Sequence, residues 1–94
     1  MFNRSFFEGP FIDSLKEMAE KEGSPSPAAE FTLFTGQSFY VTKVLNTSDR
    51  WIEVEFITEE KEKARTFLPY RNIARVSIFE EAPQRKGLGF IHST

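Results

Sequence analysis

Two short clusters in the second half of the chain hold the residue types that could do chemistry. Asp49-Arg50-Trp51 and Tyr70-Arg71-Asn72-Ile73 each stand where one extended segment gives way to the next. Together they supply an aromatic face, two guanidinium groups, a carboxylate and an amide. An indole stacks on an unpaired base, a guanidinium contacts phosphate or a base carbonyl, and an amide reads a base edge, so these types fit a pocket for a single-stranded base. Each residue also has a structural role open to it. Trp51 opens an alternating strand, where an aromatic packs in a core or an interface, and the Tyr70 ring can pack while its hydroxyl finds a partner. Arg71 could pair with Glu53 or Glu55 of a neighbouring subunit, and Asp49 and Asn72 are common turn residues.

Other chemistries find little support. His92 is the single histidine and lies in a tail with Gly87, Gly89, Ser93 and Thr94, and the chain has no cysteine. No acid pair at catalytic spacing and no phosphate-binding glycine pattern is present, so no catalytic residue is assigned and the chain reads as a non-enzyme. No metal ligand set and no cofactor is expected. Without cysteine there is neither a disulfide framework nor a thiolate site. Glu8, Gly9 and Pro10 interrupt the Phe-rich start before a signal-peptide apolar region could form, and no apolar run spans a membrane, so the expected location is cytoplasmic.

The elements that must position the clusters follow from the pattern. From Pro10 to Glu22, Phe11, Leu15 and Met18 recur at helical spacing with Ile12 and Ala19 beside them, opposite Asp13, Lys16, Glu17, Glu20 and Lys21. Pro10 suits the first helical position and Gly23 a left-handed C-terminal cap. Ser24-Pro25-Ser26-Pro27 permits neither helix nor central strand and reads as a linker ending near Ala29. Five strands are predicted after it: 30–34, a turn at Thr35-Gly36, 38–45, a turn over Asn46-Thr47-Ser48-Asp49, 51–57, a charged tip at 59–63, 63–68, and 73–79 after a tight turn at Tyr70-Arg71-Asn72. Trp51 to Ile57 is the clearest, because Ile52, Val54 and Phe56 alternate with Glu53 and Glu55.

The organisation is thus an N-terminal arm, amphipathic helix and Pro/Ser linker over 1–29, a five-stranded unit over 30–80, and a C-terminal tail over 81–94. A helix followed by five short antiparallel strands with minimal loops predicts a mainly β fold, a strongly bent sheet closing on itself as a small SH3-like barrel with the helix over one end. At 94 residues, with about half in the β unit, the core is small, and help from partners is expected. The net charge of −2 argues against a protein that coats nucleic acid by positive potential alone. Residues 1–30 hold six Asp/Glu against Arg4, Lys16 and Lys21, whereas residues 31–80 hold seven of each sign, so the acidity belongs to the N-terminal segment.

The order of elements resembles the Sm-like (LSm) family, in particular its bacterial RNA-chaperone branch, Hfq, over roughly residues 8–80. Gly9-Pro10-Phe11-Ile12-Asp13-Ser14-Leu15 is similar to that branch's acidic-Pro-Phe-Leu helix start, and Thr35-Gly36 resembles its Asn-Gly turn. Asp49-Arg50-Trp51 resembles the Asp-x-aromatic of the first Sm motif, and Tyr70-Arg71-Asn72 the Tyr-Lys-His of the second. Arg71-Asn72-Ile73 is similar to part of the Arg-Gly-x-Asn-Ile of archaeal members. The chain departs from the family where Val41 or Thr42 replaces the glycine of the bent second strand, so a bulge near Lys43 is expected to make that bend.

The resemblance implies a ring of five to seven identical subunits, joined fourth strand to fifth, with Phe67, Ile73 and Phe79 beside the paired edges. Unpaired strand borders point the same way, because a closed ring removes an aggregation hazard. It further implies a pore pocket for single-stranded, U-rich RNA in which Trp51 stacks, Arg71 contacts phosphate or a uracil carbonyl, Asn72 reads a base edge, Asp49 orients the loop and Arg50 adds charge. Asn3 and Arg4 would assist on the helix side, Thr35, Gly36 and Gln37 mark a second RNA face, and no membrane is involved. The competing reading is an SH3-like oligomeric scaffold or protein-interaction module that binds no RNA and uses Trp51, Tyr70 and Phe79 against a peptide.

Overall fold

In the computed structural model, which describes residues 1–21 and 27–79, two helices precede five strands. Helix α2 (Pro10–Lys21) carries the predicted stripe: Phe11 and Leu15 are buried, Ile12, Met18 and Ala19 are partly buried, and Asp13, Lys16, Glu17 and Glu20 are exposed. The expected Gly23 cap and all of the linker but Pro27 lie outside the described residues.

Helix α1 (Arg4–Glu8) was not expected from the sequence. Its cause is local chemistry joined to distant packing. The Asn3 side chain accepts a hydrogen bond from the Phe6 backbone N–H at 2.9 Å, capping the first turn, and Arg4 pairs with Glu8 one turn on at 3.0 Å. Phe7, 1% exposed, then anchors the helix among Phe11, Phe31 and Tyr70, with ring centroids 5.4 to 5.8 Å away. Gly9 separates the helices where an added Cβ would meet the Ser5 carbonyl at 3.2 Å.

The strands are β1 (Ala28–Leu33), β2 (Ser38–Thr47), β3 (Trp51–Ile57), β4 (Lys63–Pro69) and β5 (Ile73–Phe79). They form one antiparallel sheet in the order β4-β3-β2-β1-β5. The sheet does not close into a barrel, contrary to the sequence expectation. After Pro69 a 3₁₀ turn (Tyr70–Asn72) carries the chain out of β4 and across to the free border of β1, so β4 and β5 end up as opposite edges. Curvature comes instead from bulges. The register of β2 on β3 shifts between Val41 and Lys43 and again between Val44 and Asn46, and β1 on β5 shifts between Thr32 and Leu33. The first shift is the bulge expected near Lys43. It leaves Thr42 buried, with its hydroxyl 2.9 Å from Glu55 Oε2 and 3.2 Å from the Glu55 carbonyl.

One face of the sheet presents Ala29, Phe31, Val41, Ile52, Val54, Leu68 and Ile73 to Phe7, Phe11 and Leu15 of the helices. Burying each of those phenylalanines contributes roughly 1.5 to 3 kcal/mol, the main force holding helices to sheet. The β1–β2 turn needs Gly36, whose φ of 95° lies in the region other residues avoid. Among the described residues no helix is long and apolar enough to cross a membrane.

Candidate nucleic-acid interface

The loop between β2 and β3 is shorter than the sequence suggested, because β2 runs on to Thr47 and leaves only Ser48-Asp49-Arg50 to turn the chain. Ser48 makes that possible. Its backbone N–H donates to the Trp51 carbonyl at 2.9 Å, and its hydroxyl oxygen accepts from the N–H groups of Trp51 and Arg50 at 3.2 and 3.4 Å. Tyr70 fastens this loop to the turn that follows β4. Its N–H donates to the Arg50 carbonyl at 3.0 Å and its hydroxyl to the Ser48 carbonyl at 2.8 Å. Tyr70 is 4% exposed, and its ring stacks on Phe7 at an interplanar angle of 18°. The structural role open to Tyr70 is therefore the one it fills.

These three pieces enclose a cavity of about 480 Å³. Asp49, Arg50 and Trp51 line it from the first loop, Pro69, Tyr70 and Arg71 from the second, and Met1, Phe2 and Asn3 from the N-terminal arm. Five of the six residues singled out from the sequence for base binding thus gather at one hollow. Asn72 does not. The 3₁₀ turn directs it toward the β1–β2 turn, where the Phe34 N–H donates to the Asn72 carbonyl at 3.0 Å. Asn72 therefore adjoins the second predicted patch, Thr35, Gly36 and Gln37, all of them exposed, and beside them Phe34 is 75% exposed.

Trp51 is half-buried, with its ring against Phe67 at 5.2 Å and 77°, so it packs by an edge contact and also lines the cavity. The carboxylates that sequence reasoning offered to Arg71 are engaged within the chain. Glu53 faces Arg65 at 3.6 Å and Glu55 meets the Thr42 hydroxyl. Among the described residues Arg50 and Arg71 enter no ion pair, so both are available to an anion. Asp49 is held from the side by Arg4, whose Nη1 lies 3.3 Å from Oδ1. Arg4 also reaches Glu8, which the Thr47 hydroxyl joins, tying α1 to the end of β2. The Glu8 carboxyl is held below its ordinary range, first by that hydroxyl and then by Arg4. Burial pushes the Tyr70 phenol up.

Of the residues expected beside paired edges, Phe67 is 59% exposed on the β4 border and Phe79 ends β5 opposite Ala28. Ile73 departs from expectation. It is 2% exposed and belongs to the chain's own core, because the first residue of β5 points toward Leu33 and the helices. Sequence reasoning missed Met1, Phe2 and Pro69 as cavity walls. The signals for the arm were the capping residue at Asn3 and the Arg4–Glu8 spacing, both readable locally. Among the described residues no group of three or more His, Cys, Asp or Glu could hold a metal ion. No family model matches the chain, and neither a curated protein nor a solved structure matches it.

Chemically, the hollow brings together an indole, a phenol, a carboxylate, Asn3 and two guanidinium groups that enter no ion pair among the described residues.

Proposed function

We propose that the chain binds single-stranded RNA, one base per subunit in the cavity against Trp51, and that it does so as a ring of five to seven identical copies paired β4 to β5. The observation that carries this reading is the convergence of Asp49, Arg50, Trp51, Tyr70 and Arg71 on one hollow. Trp51 stacks on the base, Arg71 and Arg50 meet phosphate, Asp49 and Tyr70 shape the loops. Among the described residues β4 and β5 are the outer strands of the sheet, and this supports assembly, because β4 presents backbone donors and acceptors beside the exposed Phe67. This is also the element order that resembles the Sm-like family, and an RNA role there goes with a cytoplasmic location.

Fluorescein-labelled oligo-uridine, followed by anisotropy, tests base binding. Trp51→Ala removes a stacking contact worth roughly 1 to 3 kcal/mol, so affinity falls about 5- to 150-fold. Arg71→Ala weakens binding and flattens its salt dependence by about one phosphate contact. A flat titration of the wild-type protein at low salt overturns the reading and favours a peptide-binding scaffold. Sedimentation tests assembly separately, and a stable monomer at micromolar concentration contradicts edge pairing.

A further inference from the structure

Among the described residues Asp49 is the only acid lining the hollow, and it lines it together with Trp51. A negative charge beside a polyanionic ligand opposes binding unless a donor of that ligand meets it. Asp49 has the capacity for such a donor. Arg4 engages Oδ1 at 3.3 Å, the side chain is 90% exposed, and among the described residues no hydrogen bond or ion pair reaches Oδ2.

An ionised carboxylate accepts and never donates, and it accepts best from two donors set side by side. Guanine alone among the four RNA bases has such an edge, where its N1–H adjoins its 2-amino group. In uracil the N3–H lies between two keto oxygens, and in adenine and cytosine the amino group adjoins a ring nitrogen with a lone pair. Each of those edges turns an acceptor toward a carboxylate. We infer that Asp49 accepts from the N1–H and the 2-amino group of a guanine stacked on Trp51, so that the hollow selects guanine over the other bases. The inference rests on the base-binding reading above and deepens it. It departs from the uracil that the family resemblance implies, because the carboxylate, and not the order of elements, sets the choice.

Inosine is guanosine without the 2-amino group, which makes it the direct probe. Three labelled RNAs are compared on the wild-type full chain: oligo-uridine, the same oligonucleotide with one guanosine, and the same with inosine in that place. Guanosine is expected to bind roughly tenfold more tightly than inosine, the scale of one hydrogen bond to a charged acceptor. In Asp49→Ala that ratio falls to about one, while affinity for unsubstituted oligo-uridine does not fall, since a repelling charge is gone. Arg4→Gln serves as the structural control. It breaks the Oδ1 contact but keeps the carboxylate, so it lowers affinity for all three RNAs alike and preserves the ratio. Melting curves check that each variant folds. A wild-type ratio near one overturns the inference while leaving base binding intact, and so does a ratio that survives Asp49→Ala. Loss of the ratio in Arg4→Gln as well assigns Asp49 to shaping the loop and overturns it too. Failure of the wild-type protein to bind any of the three RNAs overturns the base-binding reading itself, and this inference with it.

Discussion

Tyr70→Phe removes one oxygen and nothing else, which makes it the sharpest probe of how the two loops are joined. The Phe7 stack survives, and so does the backbone bond from residue 70 to the Arg50 carbonyl. What disappears is the 2.8 Å bond from the phenol to the Ser48 carbonyl, in a residue only 4% exposed. Such a bond contributes about 1 kcal/mol net, and an acceptor left without a partner adds to the loss, so the expected destabilisation is about 1 to 2 kcal/mol. For a domain of this size that lowers Tm by roughly 5 to 15 °C. Melting at fixed protein concentration reads it, since assembly would otherwise shift the midpoint. Alkaline pH gives a second reading. Burial raises the Tyr70 pKa above its ordinary value of 10.0, so the fold favours the neutral phenol. The stabilisation is fully present below pH 10 and is lost as pH rises through the higher folded value. Tyr70→Phe has no such limb. A variant within about 0.3 kcal/mol of the wild type, with the same alkaline decline, would refute the claim that this hydroxyl clasps the site.

Two further substitutions test the frame around it. Phe7→Ala empties a site 1% exposed and should cost about 3 to 5 kcal/mol, with loss of oligo-uridine binding because the arm that α1 anchors, Met1 to Asn3, leaves the cavity wall. Phe7→Leu, milder by denaturant melting and still able to bind RNA, distinguishes this from general unfolding. At the β3–β4 hairpin tip Lys61 has a φ of 68°, a left-handed conformation that costs a non-glycine residue about 1 to 2 kcal/mol. Lys61→Gly relieves it at some entropic cost, for a net gain of about 0.5 to 1 kcal/mol in urea denaturation. A net loss there would mean the strain is absent.

The strands and the turns between them were legible because their signals are local. Period-two alternation in Trp51–Ile57, Pro69 ahead of the 3₁₀ turn, and Gly36 in a left-handed position each act within a few residues, and β3 and β5 span the residues predicted. Closure was not legible. Whether β5 meets β4 or passes to β1 depends on summed twist and on the path after Pro69, and neither leaves a mark in composition. The burial of Ile73 has the same origin. Its alternation fits either face of an edge strand, and only the bulge between Thr32 and Leu33 decides that it turns inward.

The candidate site divides along the same line. Asp49-Arg50-Trp51 and Tyr70-Arg71 were visible as residue types at strand junctions, and topology then brought them to one hollow. Asn72 was placed with them because it is their neighbour in sequence, but a 3₁₀ turn rotates successive residues by about a third of a revolution. Three consecutive side chains on such a turn cannot all face one cavity. Tyr70 is buried at the edge of the hollow, Arg71 lines it, and Asn72 is not among its lining residues, its backbone carbonyl accepting from the Phe34 N–H instead. The vacant place in the wall is filled from a distance of more than forty residues along the chain by the arm, held by Arg4 on Asp49 and by Glu8 on Thr47. An amide is present at the cavity after all. It belongs to Asn3, and no reading of strand junctions could have put it there, because its position depends on the burial of Phe7 against Tyr70.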